Sequence, residues 1–334
     1  MILSQRIDLM NRLGDYLQSN EIAWQEAKQK ASYENGWFIP EFVELAVNNI
    51  RQHFLKKDIL EKWADHYKLP PVTPLPKTIG IVMAGNIPLV GFHDLLCVFM
   101  SGNKALIKPS SKDEVLIKHL TAVLQNWEPG INELIQFSVM LKNCDAYIAT
   151  GSYNTSRYFE YYFGKYPHII RRNKTSVAVL TGEETNDELE KLSDDVYQFF
   201  GLGCRNVTKI YVPAGYDFVP LLAAFKKYNA LADHHKYKNN YDYNLAIHIL
   251  NNKFYMTNGS ILLIEESSLF SPISQLNYEY YPDKNSLLSS LHDNQELQCI
   301  AGQADIPFGK TQEPGIFDYA DRVDTMAFLS SIRA

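Results

Sequence analysis

The chain has 334 residues, a net charge of −6, and 46% hydrophobic against 21% charged residues, the balance of a folded protein long enough for two domains. This composition excludes a largely disordered chain. Lysines and arginines are scattered without a basic stripe or a zinc-ligand pattern, which argues against nucleic-acid binding.

The four cysteines, Cys97, Cys144, Cys204 and Cys299, lie far apart with no CxxC pair, so neither metal nor disulfide spacing is present. The amino terminus, Met-Ile-Leu-Ser-Gln-Arg-Ile-Asp, turns polar at once and lacks the apolar core of a signal peptide. The expected compartment is the reducing cytoplasm, where Asn-x-Ser/Thr triplets such as that at Asn154 have no glycosylation meaning.

Residues 1 to about 69 read as helical, with Leu13, Tyr16 and Leu17, then Phe42, Leu45 and Ala46, at helical spacing. The proline-rich Pro70–Pro76 cannot continue a helix and marks a first boundary. After it strands and helices alternate: Thr78–Met83 strand, Leu89–Met100 helix, Ala105–Lys108 strand, Glu114–Trp127 helix. Strands at Ile135–Leu141 and Ala146–Ala149, a helix at Thr155–Phe163 and a strand at Ser176–Leu180 follow. Such alternation predicts a mostly parallel sheet with helices on both faces. The apolar run Val82–Met100 approaches a membrane span in length, but Asn86, Pro88, His93 and Asp94 would be costly in a bilayer, so a soluble strand-turn-helix is expected.

A second α/β unit begins near Glu183. Asp195–Phe200 reads as helix, Gly201 and Gly203 as the turn that ends it, and Val207–Val212 as strand, which puts the thiol of Cys204 on a hinge. A helix over Phe218–Tyr228 and a strand at Ile261–Ile264 follow, with the polar, aromatic Ala232–Asn244 read as a loop and Asp324–Ser330 as a closing strand. Tyr158, Tyr161 and Tyr162, with Phe159 and Phe163, form an aromatic helix face expected to pack in the core. His234-His235 has no third ligand nearby, and no metal site is expected.

Four short segments carry the chemistry, read together as strand ends whose turns offer amides or polar side chains at the carboxyl edge of a sheet, where open α/β folds bind ligands. In Gly85-Asn-Ile-Pro88, Asn86 is either a plain turn asparagine or a rigidly held oxyanion donor. Lys108-Pro-Ser110-Ser111 ends a strand with a cation that can be merely solvated or can hold ribose hydroxyls or a phosphate. Gly151-Ser152 opens a helix, as an ordinary serine cap or as a pyrophosphate site. Cys204, in Gly-Leu-Gly-Cys, is either a small buried residue or a nucleophile. No GxGxxG is present.

In this order, Gly-Asn-Ile-Pro, Ile-Lys-Pro-Ser, Thr-Gly-Ser and Gly-Leu-Gly-Cys resemble the aldehyde dehydrogenase superfamily. Val82-Met-Ala-Gly-Asn-Ile-Pro88, Gly203-Cys-Arg-Asn206, Phe308-Gly-Lys-Thr-Gln312 and Asp318–Leu329 narrow the resemblance to the LuxC-type acyl-CoA reductases, the fatty-acid reductases of bacterial bioluminescence, over roughly residues 75 to 330. The resemblance implies two doubly wound α/β domains with a helical amino-terminal extension: 1–75 the extension, 76–182 the nicotinamide dinucleotide-binding domain, 183–306 the catalytic cysteine domain, and 307–334 a tail with the closing strand. It further implies Cys204 as nucleophile, Asn86 as oxyanion donor, Lys108 with Ser110 and Ser111 at the adenosine ribose, and Gly151 and Ser152 at the pyrophosphate.

Two departures shape the expected reaction. Where aldehyde-oxidising relatives carry Glu-Leu-Gly-Gly-Lys, this chain has Ile170-Arg-Arg-Asn-Lys174, so the carboxylate that would activate water is missing and exchange with a thiol is favoured over hydrolysis. Ser111 stands where many NAD-preferring relatives have an acid, which favours NADPH, with NADH the alternative. The expected activity is reduction of an acyl-CoA or acyl-carrier-protein thioester to an aldehyde. Its competitors are a cysteine-dependent acyltransferase or thioesterase without nicotinamide, and a non-catalytic partner that kept the fold. A homodimer is expected by analogy with relatives that pair through their closing strands.

Overall fold

Apolar side chains at helical spacing build the first four helices. α1 (Leu3–Leu17) buries Leu9, Met10, Leu13, Tyr16 and Leu17, and α2 (Ile22–Glu34) buries Trp24, Ala27 and Ala31. α3 (Pro40–His53) opens on a proline, whose fixed φ suits a first helical turn, and α4 (Lys57–His66) follows. The computed structural model describes residues 1–302 and 305–332.

The alternating series then appears as β1 (Thr78–Val82), α5 (Phe92–Met100), β2 (Lys104–Lys108), α6 (Val115–Trp127), β3 (Ile135–Phe137), β4 (Ala146–Thr150), α7 (Tyr153–Phe163) and β5 (His168–Arg171). The five strands form a parallel sheet in the order β3-β2-β1-β4-β5. The chain runs outward from β1 to β2 and β3, then crosses to β4 and β5, so the winding reverses beside β1. The run expected to escape the membrane resolves into β1 and a helix buried along nearly its whole length, including Leu95, Leu96, Cys97, Val98, Phe99 and Met100. Among the described residues no helix is long and apolar enough to cross a membrane.

The following elements are β6 (Thr175–Val179), α8 (Asn186–Tyr197), β7 (Val207–Pro213), α9 (Phe218–Ala224), α10 (His235–Leu250), β8 (Met256–Thr257), β9 (Leu262–Glu265), β10 (Gln275–Tyr281), α11 (Lys284–His292) and β11 (Leu297–Ala301). Their sheet has the order β11-β6-β7-β10-β9-β8, parallel except for the β8–β9 pair. The chain divides into two compact units, Met1–Asn173 with Pro314–Ala334, and Lys174–Glu313. β6, read from the sequence as a late strand of the first series, therefore belongs to the second sheet. The last helix, α12 (Thr325–Ser331), returns to the first unit and packs on α5.

Several readings of local structure are overturned. The expected closing strand is α12, capped by Asp324, whose Oδ1 accepts the Ala327 N–H at 2.8 Å, with Thr325, Met326 and Leu329 buried at helical spacing. The element through which a homodimer was expected to pair is thus a helix. The loop read at Ala232–Asn244 is largely α10, which buries Tyr237, Tyr241 and Asn244 one turn apart and is capped at its start by His234 Nδ1, which accepts the Tyr237 N–H. The tyrosines Tyr158, Tyr161 and Tyr162 of α7, expected in the core, are 66%, 81% and 61% exposed, because α7 turns Ser156 inward and only half buries Phe159 and Phe163. The strand expected over Ile135–Leu141 stops at Phe137.

Candidate functional site

In the first unit three of the singled-out segments leave the same edge of the sheet. Val82 is in register with both Lys108 of β2 and Ala149 of β4, so the turns after β1, β2 and β4 emerge side by side at the carboxyl edge. Their residues are Asn86, then Lys108, Ser110 and Ser111, then Gly151 and Ser152. This is the edge at which open α/β sheets take ligands, next to the reversal of winding.

Lys108 is exposed at the end of β2, while its carbonyl accepts the Met83 N–H at 3.0 Å and ties the ends of β1 and β2 together. Ser110 is half-buried and its Oγ accepts the Lys112 N–H at 3.2 Å, whereas Ser111 is exposed. Asn86 is exposed, and its turn is fixed by its neighbours: a Cβ on Gly85 would lie 2.5 Å from Ser110 Oγ, so only glycine permits this approach. Ser152 caps α7, with its Oγ accepting the Thr155 N–H at 3.3 Å. A Cβ on Gly151 would meet Phe159 at 2.8 Å, so the chain enters α7 tight against its first turns. An exposed cation and a helix amino terminus, at the ends of strands of one sheet, fit the phosphates of a dinucleotide.

Arg171, in the Ile170–Lys174 segment that lacks the water-activating carboxylate, is a buried structural residue. It pairs with Asp94 at 2.5 Å and donates to Thr325 Oγ1 at 2.7 Å, which ties β5 to α5 and α12. Sequence reading missed this role, because its partners lie 77 and 154 residues away.

In the second unit Cys204 lies in the turn between α8 and β7. It therefore stands at the amino end of β7, not at a carboxyl edge as the sequence reading grouped it. α8 ends at Tyr197, earlier than expected, because Phe199 and Phe200 are left-handed (φ 53° and 57°), followed by Gly201 at φ 74°. Both phenylalanines are buried, and that packing holds a conformation non-glycine residues rarely adopt.

Asn206, fully buried, closes this turn. Its Nδ2 donates to the carbonyls of Asp195 and Gln198 at 3.0 and 2.8 Å, its Oδ1 accepts the Gly203 N–H at 2.8 Å, and its own N–H reaches the Gly203 carbonyl at 3.1 Å. One amide side chain thus satisfies the frayed end of α8 and frames the residues around the thiol. Ser176 Oγ donates to the Cys204 carbonyl at 3.1 Å and anchors the turn to β6. Of the four cysteines, Cys97, Cys144 and Cys299 are buried and Cys204 alone is partly exposed.

Asp195 braces the end of α8 that leads into this turn. Its buried carboxylate accepts the Gly309 N–H at 2.7 Å and the Thr311 N–H and hydroxyl at 3.0 and 2.8 Å, fastening the Phe308-Gly-Lys-Thr segment to α8. Burial pushes its carboxyl up to about 6, against the pull of those three donors. The Asp195 and Asn206 side chains were not singled out in the sequence, since their bonds run mostly to backbone groups that carry no residue signature.

The two sheets and their helices form an α/β protein with the aldehyde dehydrogenase fold. Aldehyde dehydrogenase 21 from Physcomitrella patens, in complex with the reaction product succinate, is 14% identical with a TM-score of 0.66, over 91% of this chain and 74% of its own. A mutant form of an aldehyde dehydrogenase from Bacillus cereus gives 12% and 0.66 over 90% and 72%. An E. coli NADP dependent enzyme gives 10% and 0.65 over 92% and 78%. Among curated proteins we found no sequence match. The family profile described as acyl-CoA reductase (LuxC) matches residues 44–221, more than half of the chain, and the chain belongs to that family. Family and fold support an oxidoreductase of the aldehyde-forming kind.

Proposed function

We propose that this protein reduces an acyl thioester to an aldehyde through an acyl-enzyme on Cys204. The thiolate attacks the thioester carbonyl, the bond to the carrier sulfur breaks, and the carrier leaves as its thiolate. NADPH supplies a hydride when bound. That hydride and one proton convert the enzyme thioester to a hemithioacetal, whose hydroxyl gives its proton up to solvent as the C–S bond breaks, leaving the aldehyde and the Cys204 thiolate. Asn86 donates to the oxyanion, and donors held in place before the reaction act with little reorganisation. Lys108, Ser110 and Ser111 take the adenosine ribose and its 2′-phosphate, and Gly151 and Ser152 the pyrophosphate. The carrier is coenzyme A or an acyl carrier protein, and the reaction takes place in the cytoplasm.

The observation that carries this reading is Cys204, the one cysteine not buried, in a turn built by Asn206. Ile170 adds to it: an apolar side chain at the position of the missing carboxylate cannot activate water, so the acyl group persists until reduced. The test is a panel of acyl-CoA esters of graded length with NADPH, following loss of its absorbance and trapping aldehyde as a hydrazone. Aldehyde in step with NADPH consumption is expected. Free acid released at the same rate without NADPH would instead identify a thioesterase.

A further inference from the structure

Asp113 lies outside every motif named above, just beyond Ser111, and its side chain is 7% exposed. Its Oδ2 accepts the Leu89 N–H at 2.7 Å, across from the turn that carries Asn86. Leu89 has φ 56°, the left-handed region, which disfavours a branched residue and persists only where neighbours hold it. The other oxygen, Oδ1, is buried without a hydrogen-bond partner among the described residues, an arrangement that disfavours the charged form. Burial pushes the carboxyl well above the ordinary carboxylate range, with the Leu89 N–H opposing.

The main chain of Asp113 belongs to the other loop. Its N–H donates to the Ser110 carbonyl at 3.0 Å, and its Cβ would stand 3.2 Å from a Cβ at Gly85. A single residue therefore joins the Lys108–Ser111 loop to the Gly85–Leu89 turn, holding the second by one side-chain bond. A carboxyl kept out of water with one oxygen unsatisfied destabilises the fold, and among the described residues the bond to Leu89 is the one that its side chain makes.

We propose that Asp113 is a positioning residue that sets the Asn86 turn against the cofactor loop, so that the oxyanion donor and the adenosine-ribose loop are placed by the same residue. The inference rests on the roles proposed for Asn86 and Lys108, and its first readout is independent of them. Amide hydrogen exchange at Leu89 in D113A should be at least tenfold faster than in the parent, while D113N, which keeps an acceptor in place, should stay within about threefold.

Turnover gives the second readout. In D113A kcat with acyl-CoA and NADPH should fall about tenfold or more with the acyl-CoA KM within threefold, the pattern of an interaction made in the transition state, and D113N should recover most of it. Wild-type exchange at Leu89 in D113A, or tenfold faster exchange in D113N, overturns the proposal; if D113A does not fold, D113N decides alone. A parent enzyme that turns over no thioester refutes the functional reading and leaves the exchange result to judge Asp113.

Discussion

Replacing Asn206 by alanine removes three short hydrogen bonds from a side chain with no solvent exposure and leaves the Asp195 and Gln198 carbonyls and the Gly203 N–H without that partner. Each buried group left unsatisfied costs about 1–3 kcal/mol, and water reaching part of the exposed helix end offsets some of this, so the loss is about 3–5 kcal/mol. In a unit of this size that is a fall in Tm on the order of 10 °C. N206D keeps the shape but turns an acceptor towards the same carbonyls, and should be at least as damaging. Differential scanning calorimetry measures both, and the rate of iodoacetamide labelling at Cys204 reports the turn directly. A Tm for N206A within about 2 °C of the parent, with unchanged labelling, would show that Phe199, Phe200 and Gly201 fix the turn without Asn206.

Three further outcomes follow from buried charge and from the donor at Asn86. Asp195 titrates near 6 when folded against 3.8 as its ordinary value, so the native state takes up its proton first. Its contribution is fully present below the unfolded value and lost as pH rises through about 6, so the stability of the parent relative to D195A should increase by up to ~3 kcal/mol from pH 7 to pH 4. Urea denaturation across that range checks the sign, and a flat or opposite trend refutes it. R171L strands Asp94 without its partner and should cost about 3–5 kcal/mol, while R171L with D94L should recover much of this; equal losses in both would argue against a coupled pair. Asn86→Ala should slow thioester reduction on the order of 10²-fold, and activity kept within about threefold would remove Asn86 from the mechanism.

The alternation of strand and helix was legible because both sheets are nearly all parallel, and buried parallel strands such as Thr78–Val82 and Val207–Pro213 read as apolar runs between turns. α10 escaped because its buried face is Tyr237, Tyr241 and Asn244, residues whose letters say surface while their spacing says helix. α12 escaped because Thr-Met-Ala-Phe-Leu has strand-like composition, although Asp324 in front of it was a visible cap. The exposed tyrosines of α7 show the opposite error, aromatic composition taken for burial.

At the candidate site, glycine, proline and the thiol were readable because backbone geometry demands them locally. Asn206, Asp195, Arg171 and Asp113 were not, because each acts on a group whose identity is irrelevant to the bond or whose position is far along the chain. The left-handed pair Phe199 and Phe200 is the clearest case: tertiary packing overrides local preference there, and helical spacing pointed the other way.

The most direct measurement mixes the protein with an acyl-CoA ester in the absence of nicotinamide, quenches it in acid and maps the peptides by mass spectrometry. One acyl group on the peptide containing Cys204, lost as aldehyde when NADPH is added before the quench, is the predicted result. Acylation at another residue, or none while aldehyde still forms on adding NADPH, would contradict the account.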